Sequence, residues 1–96
     1  MARYVLLLNW TEQGIRAVKE TVKRAASARQ LIEKMGGRVT ECQWTLGPYD
    51  LVLMVEATDD ETATAMSIKL AALGNVRTTT MRAFNESEME KVLQKV

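Results

Sequence analysis

The segment that most constrains the fold runs from Trp44 to Val55, where two apolar stretches flank a Gly47-Pro48 pair. Proline fixes φ near the value that a turn needs, and glycine removes the steric limits of a side chain, so the pair predicts a tight turn. The flanking residues then form a β-hairpin. The expected register pairs Leu46 with Leu51, Trp44 with Leu53, and Cys42 with Val55. Because side chains alternate with period two, this register gives the hairpin one apolar face that packs on a core.

The patterns around the hairpin predict the order β-α-β-β-α-β-α. The expected elements are a strand at 3–10, a helix from 12 to about 35, strands at 38–46 and 50–57, a helix at 60–73, a strand at 75–84, and a C-terminal helix at about 86–95. Thr11, Asp59 and Asn85 stand at N-cap positions, and Glu88 completes a capping box with Asn85. Gly74 is the expected stop of the second long helix. These signals place every helix between strands or after the last one.

Right-handed crossovers and the central hairpin select one α+β fold, a ferredoxin-like βαββαβ sandwich with a C-terminal helix. Its four-stranded antiparallel sheet has the strand order 4-1-3-2, and residues 1–96 form a single domain. Strands one and three carry continuous apolar runs that suit central positions, whereas strands two and four alternate as edge strands do. Both long helices cover the same sheet face, which leaves the other face open.

The open face predicts a homodimer. Its expected apolar residues are Val5, Leu7, Val52 and Met54, a patch too apolar to remain in water. A second subunit packed sheet to sheet covers it, as in dimeric α/β barrels; a higher oligomer is left open. The C-terminal helix then lies over its own sheet edge or crosses to the partner.

Composition excludes several classes of function. The formal net charge is +1 with interspersed signs, which argues against nucleic-acid or acidic-membrane binding. The apolar run Tyr4–Leu8 is too short for a signal peptide or a membrane span. A lone cysteine, Cys42, forms no internal disulfide and suits the cytoplasm. The chain has no histidine and no recognisable metal-ligand spacing, so we expect neither a metal site nor a cofactor.

Several segments carry a resemblance to a known family. They are Asn9–Gly14, Trp44–Asp50, Gly74–Thr78 and Arg82–Phe84, with the sequences NWTEQG, WTLGPYD, GNVRT and RAF. Together they resemble the GYD domain family, which is named for its Gly, Tyr and Asp. The resemblance implies a dimeric α/β-barrel, ferredoxin-like domain, and it leaves the chemistry open because the family has no assigned activity. Gly14 and the Thr21-Val22 pair are weak helix formers, so a break of the first helix near residue 20 is left open. Family members often have a helix-breaking segment there, whereas this chain has Glu20-Thr21-Val22, so we expect no clean break.

Candidate ligand-binding residues are those that the fold can gather at one end of the sheet or along strand four. They are Asn9, Trp10, Thr45, Tyr49, Asp50, Arg77 and Arg82. Most have a simpler structural interpretation. Asn9 shapes the start of the helix, Trp10 packs in the core, and Asp50 bonds within its own turn. Arg77 and Arg82 pair with Glu41 or Glu56. Tyr49 either packs on the partner subunit or rims a pocket.

Three functions are compatible with this sequence, and none has a motif that decides it. The first is a small-molecule-binding or sensing homodimer, with a pocket between sheet and helices or between subunits. The second is an enzyme similar to the cofactor-independent monooxygenases of the same barrel architecture, acting on an aromatic substrate through Asn9, Trp10, Tyr49 and Arg82; this rests on analogy of fold. The third is an assembly or interaction module without a ligand.

Overall fold

The expected element order is confirmed in a computed structural model that describes residues 1–96. The strands are β1 (Ala2–Trp10), β2 (Arg38–Trp44), β3 (Leu51–Ala57) and β4 (Val76–Ala83). The helices are α1 (Glu12–Arg16), α2 (Thr21–Lys34), α3 (Asp60–Ala72) and α4 (Glu86–Leu93). A 3₁₀ turn at Val18–Glu20 separates α1 from α2. None of the helices combines the length and the apolar character that a transmembrane span requires.

The four strands form one antiparallel sheet in the order β2-β3-β1-β4. This is the predicted 4-1-3-2 order read from the other edge, so the ferredoxin-like fold is confirmed. The central strands β1 and β3 pair along their apolar runs, with Leu6 opposite Leu53 and Leu8 opposite Leu51. All four of these side chains are buried on the face that the helices cover.

The expected hairpin register is wrong by two residues. Trp44, rather than Leu46, lies opposite Leu51, and Cys42 lies opposite Leu53. Strand β2 therefore ends at Trp44, and Leu46 lies in the loop with its side chain fully exposed. Because the shift is an even number of residues, Cys42 and Trp44 stay on the predicted face.

A β-bulge interrupts the pairing of β2 with β3. Val39 lies opposite Val55 and Glu41 opposite Met54, which leaves Thr40 as the extra residue. The Thr40 hydroxyl donates to the Met54 carbonyl oxygen at 3.2 Å. In a regular strand, Val39 and Cys42 would point to opposite faces, because three residues separate them. The extra residue of the bulge brings Val39 to the buried face, the same face as Cys42.

The core fills the space between the sheet and the two long helices. Its most deeply enclosed side chains are Ile32 on α2, Val55 on β3 and Met66 on α3. Burial of such side chains contributes about 1.5–3 kcal/mol each relative to exposure. Helices α2 and α3 both contribute to this layer, whereas Ile15, Val22 and Leu73 lie exposed.

The 3₁₀ turn at Val18–Glu20 divides the first helix, which corrects the expectation of no clean break and agrees with the break near residue 20 that the weak helix formers left open. Ala17 leaves the helical conformation with φ −111° and ψ 34°. Gly14 packs so closely on the start of β4 that a Cβ would come within 2.0 Å of the Asn75 carbonyl oxygen, which fixes the direction of α1. The Arg24 Nη2 atom then donates to the carbonyl oxygens of Gly14 at 3.0 Å and Ala17 at 2.8 Å. These bonds tie α2 to the chain on the other side of the break, where the Ala17 carbonyl oxygen also accepts from the Glu20 N–H at 2.9 Å.

Helix α4 is well capped but extends away from the core. Asn85 and Glu88 form the predicted capping box, and the helix ends at Leu93 instead of about residue 95. Its apolar residues Met89 and Leu93 remain exposed. The radius of gyration is 14.1 Å, compared with about 12.5 Å expected for a compact domain of this length. The helix therefore does not cover its own sheet.

Candidate functional site

The hairpin end of the sheet gathers several predicted site residues, and their polar groups bond to one another. The Asn9 side-chain amide donates to the Pro48 carbonyl oxygen at 2.8 Å. Asp50 does not bond within its turn, because its Oδ2 accepts from the Trp10 backbone N–H at 2.9 Å. The Asp50 N–H in turn donates to the Leu8 carbonyl oxygen at 2.9 Å. Asn9 and Asp50 thus attach the hairpin loop to β1.

Thr45 and Tyr49 close the loop itself. The Thr45 hydroxyl donates to the Tyr49 carbonyl oxygen at 2.6 Å, and the Thr45 N–H donates to the Asp50 carbonyl oxygen at 2.9 Å. The Tyr49 side chain is half-buried, and its hydroxyl has no hydrogen-bond partner within the chain. These contacts explain the loop geometry without any ligand.

The two candidate arginines lie at opposite ends of β4. Arg77 pairs in register with Asn9, whereas Arg82 pairs with Tyr4. Five residues along a strand span about 17 Å, so Arg82 cannot join the residues at the hairpin end. Neither arginine contacts Glu41 or Glu56; instead Arg38 bonds Glu56 at 2.7 Å.

Arg82 belongs to a satisfied cluster at the far end of the sheet. Its guanidinium lies 4.5 Å from the Phe84 ring centroid and 3.8 Å from a Glu88 carboxylate oxygen. Nearby, the buried Tyr4 hydroxyl donates to Asp60 at 2.5 Å. Burial, together with this bond and the negative charge of Asp60, raises the pKa of Tyr4 to about 12. Tyr4 therefore stays neutral, and this cluster is a structural anchor.

A partly enclosed cavity of about 100 Å³ lies on the covered side of the sheet, between α2, the end of α3 and the strands. Its wall is mostly apolar. The apolar lining consists of Leu8, Trp10, Ala25, Ala28, Leu51, Leu53, Leu70, Leu73 and Val76. Among the sequence candidates, only Trp10 is part of this wall. Apolar cavities with a few polar groups are the usual form of small-ligand sites.

The polar part of the cavity wall was missed by sequence reasoning. It consists of Thr21, Arg24 and Ser27 on α2, together with Asn75 before β4. Arg24 is the only charged residue in the wall. Thr21, Arg24 and Ser27 or Ala28 follow one another at helical spacing, and that spacing is the signal that could have grouped them. An arginine on a helix is most often exposed to solvent, so Arg24 gave no signal of its own.

Trp44 closes the adjoining side of the helix layer. Its indole Nε1 donates to the Thr21 hydroxyl at 3.0 Å, which links β2 to the first residue of α2. Trp44 is 41% exposed, so the expectation that it packs in the core is wrong.

Cys42 lies on the same strand, β2. Burial raises the pKa of its thiol, which disfavours the reactive thiolate. Across the chain, no group of three or more Cys, Asp or Glu side chains is arranged to hold a metal ion.

Comparison with known proteins decides the family. The model of the GYD domain family matches residues 4–93. The chain belongs to the GYD domain family. A curated relative of this GYD domain, from Thermus thermophilus, is described as a glutamine synthetase and cystathionine beta-lyase binding protein. It is 31% identical over 90 residues, which are 93% of this chain and 95% of the relative.

Solved structures support the fold of this GYD domain. A crystal structure of a protein from Thermus thermophilus aligns with a TM-score of 0.58 and 25% identity, covering 88% of this chain and 95% of that one. A feast or famine regulatory protein from M. tuberculosis, complexed with L-methionine, aligns with a TM-score of 0.61 over 88% of this chain. At 16% identity and 51% coverage of the regulator, that likeness concerns the fold alone.

Proposed function

We propose that this GYD domain is a cytoplasmic homodimer that binds the apolar group of a small molecule in the cavity between its sheet and helices. The observation that carries the proposal is the cavity itself, which lies inside the apolar layer and is walled by Trp10, Leu53 and Leu70. Protein interiors are otherwise close-packed, with few voids larger than water. An apolar void of this size is therefore a place where a ligand gains contacts that the protein lacks.

The cavity volume limits the ligand. An engineered apolar cavity of about 150 Å³ binds benzene, and this cavity measures about 100 Å³. Scaling by volume leaves room for about four carbon atoms, the size of an isobutyl group. A larger aromatic substrate does not fit without rearrangement of α2. The size thus favours binding of a small aliphatic group over monooxygenase chemistry.

The residues named for the monooxygenase alternative also do not meet. Trp10 lines the cavity, whereas Asn9 lies on the opposite sheet face and bonds the hairpin loop. Arg82 is at the far end of the sheet beside Glu88. A concerted reaction needs its catalytic groups within hydrogen-bond reach of one substrate. These residues therefore do not share one substrate site, which counts against the monooxygenase alternative.

The open sheet face supports the dimer. Val5 lies opposite Met54, and Leu7 lies opposite Val52, so the four expected apolar residues adjoin one another. None of them is fully buried within one chain. Contiguous apolar surface of this kind marks an interaction site in soluble proteins. Met81 on β4 lies opposite Val5 and is 43% exposed, so it extends this apolar surface.

Native mass spectrometry of gently purified protein tests both parts of the proposal. We expect a dimer that carries a reproducible extra mass. Ala28→Leu adds apolar volume inside the cavity and should remove that mass, while Ala26→Leu, on the exposed side of the same helix, should keep it. A dimer without added mass, or one that retains it in Ala28→Leu, would contradict the ligand. A monomer would contradict the dimer.

A second function is favoured by the curated relative, whose description names two enzymes that it binds. If this chain acts in the same way, α4 is a suitable contact because its residues Met89 and Leu93 expose apolar surface, as does Phe84 just before the helix. The test is direct binding of purified glutamine synthetase and cystathionine beta-lyase, measured by light scattering. Complex formation that is lost in a Met89→Lys variant would support it. No complex at micromolar concentrations would count against it.

A further inference from the structure

We infer that the ligand of the cavity is an aliphatic monocarboxylate whose carboxylate binds Arg24. This inference rests on the proposed ligand-binding function and adds the chemical class of the ligand. Its basis is that the Arg24 guanidinium forms no ion pair within the chain. Arg24 is the only charged residue of the cavity wall, and no carboxylate lies within ion-pair distance of its guanidinium.

The hydrogen bonds of Arg24 leave part of the guanidinium free. Both bonds, to the carbonyl oxygens of Gly14 and Ala17, are made by Nη2. Its Nε and Nη1 atoms donate to no protein atom. A guanidinium has donors on all three nitrogens and forms its strongest bonds with carboxylates, often two at once. The two backbone bonds hold the group in place, and the remaining donors are available to an anion.

The rest of the cavity wall determines which chemical group the ligand carries besides its carboxylate. Apart from Arg24, the wall is apolar or neutral, with Thr21, Ser27 and Asn75 as its other polar residues. The apolar part holds about four carbon atoms, by comparison with the benzene cavity. The surface that the wall exposes is almost entirely apolar, so a short branched chain fills the cavity and its acid group stays at the rim, beside Arg24.

The wall also disfavours α-amino acids. An amino acid brings an ammonium group next to its carboxylate, and that cation requires a carboxylate or several carbonyl acceptors when it leaves water. No Asp or Glu lines the cavity. The ammonium would in addition lie beside the positive charge of Arg24. We therefore expect the deaminated acid to bind better than the amino acid of the same skeleton.

Three probes of one carbon skeleton test this inference: 4-methylpentanoate, 4-methylpentanamide and L-leucine. Binding to the full chain is measured by NMR titration near neutral pH. A charge-assisted bond is stronger than a neutral one by enough to change affinity about tenfold or more. We expect the carboxylate to bind at least about tenfold more tightly than the amide, and leucine to bind more weakly than the carboxylate.

Two variants locate the effect. Arg24→Gln should abolish the preference for the carboxylate over the amide. Arg29→Gln removes the same charge from the same helix, and its guanidinium also donates to a backbone carbonyl, that of Val39, but it lies outside the cavity wall. It should keep the preference. If Arg24→Gln does not fold, the comparison of carboxylate with amide in the unmodified chain still decides the inference.

The outcomes separate the inference from the function on which it rests. Equal affinity for carboxylate and amide in the unmodified chain would overturn the role of Arg24 and leave the apolar cavity as a binding site. Tighter binding of leucine than of 4-methylpentanoate would overturn the class of ligand. Absence of binding by all three probes at millimolar concentration, with unchanged cavity resonances, would overturn both the inference and the proposed function.

Discussion

The two faces of one sheet differ in what covers them, although the same strands supply both. On β1, Leu6 is 2% exposed beneath the helices, whereas its neighbour Leu7 is only half-buried on the other side. Strand β3 shows the same alternation, with Leu53 buried and Val52 half-buried. Both faces are apolar, yet the chain has only enough helix to cover one of them.

The difference separates two sources of stability. The covered face stabilises the folded monomer and contains a cavity where packing is incomplete. The open face has no cover within the chain, so its apolar area is available for association, and in the proposed dimer a second copy covers it. A substitution on either face removes similar apolar surface, but it acts on different equilibria.

The largest expected effect comes from a charge at the centre of the open face. Met54→Glu would bury an unpaired carboxylate between two sheets, which costs several kcal/mol. We expect monomer or aggregate in sedimentation velocity experiments. Ala65→Glu places the same charge on the exposed surface of α3 and should leave the dimer intact. A soluble Met54→Glu dimer of normal stability would show that the sheet face is not the interface.

A matched pair on β1 compares the two faces directly. Leu6→Ala creates a cavity in the core and should lower the free energy of unfolding by about 2–5 kcal/mol at any protein concentration. Leu7→Ala should leave the monomer nearly unchanged and weaken the dimer, so it should lower the melting temperature most at high protein concentration and least on dilution, where dimerisation contributes little to stability. Urea and thermal unfolding over a hundredfold range of concentration give both quantities. Similar behaviour of the two variants would remove the distinction between the faces.

Tyr4 provides a pH-dependent probe of the covered face. Its pKa rises from 10.0 to about 12 on folding, so the native state retains a proton that the unfolded chain loses above pH 10. Stability is therefore fully present below pH 10 and falls as pH approaches 12. Tyr4→Phe removes the bond to Asp60 at a cost of about 1 kcal/mol at neutral pH and should lack this alkaline loss. Parallel alkaline unfolding curves for both proteins would contradict the assignment.

The smallest expected effect concerns α4, which follows β4 and carries a glutamate that contacts an arginine on each face of the sheet. Glu88 bonds Arg3, on the open face, at 3.1 Å and lies 3.8 Å from Arg82, on the covered face. The bond from the Asn85 N–H and both arginines lower the pKa of Glu88, so this support is present above the ordinary value of 4.5 and is lost as pH falls. Glu88→Gln should therefore reduce the helical NMR chemical shifts of α4 at neutral pH.

The matched variant Glu90→Gln removes the same charge from an exposed position outside the capping box. It should leave the chemical shifts of α4 unchanged. If both variants have the same effect, the general charge of the helix is responsible, and the link between the two faces is not.

Local patterns predicted most of the fold. Apolar runs identified the central strands, and Asp59 and Asn85 cap α3 and α4 as expected. The hairpin register could not be obtained in this way, because Leu46 is as apolar as the residues that do enter the strand. What ends β2 at Trp44 is the attachment of Asp50 to Trp10, a contact distant in sequence.

The helix break and the cavity depend on still longer contacts. Gly14 gave no sign that it packs on Asn75, and Arg24 gave no sign that it bonds the carbonyl oxygens of Gly14 and Ala17 across the break. Periodicity shows which side of a helix is buried, but it does not show whether two buried surfaces meet without a gap. The sequence indicates candidate site residues by their type and by their place at the ends of strands. Among the residues indicated in this way, only Trp10 lies in the cavity wall.

The bulge at Thr40 has a consequence for how chains of this kind avoid polymerising. Strand β2 is a free edge, and a regular edge of this length would accept further strands one after another. The extra residue interrupts the row of N–H and C=O groups in the middle of the strand. Edge-to-edge addition, which has no natural end, is thereby hindered. In the proposed dimer, association through the sheet faces has a two-fold axis and closes after one partner, so that assembly would be finite.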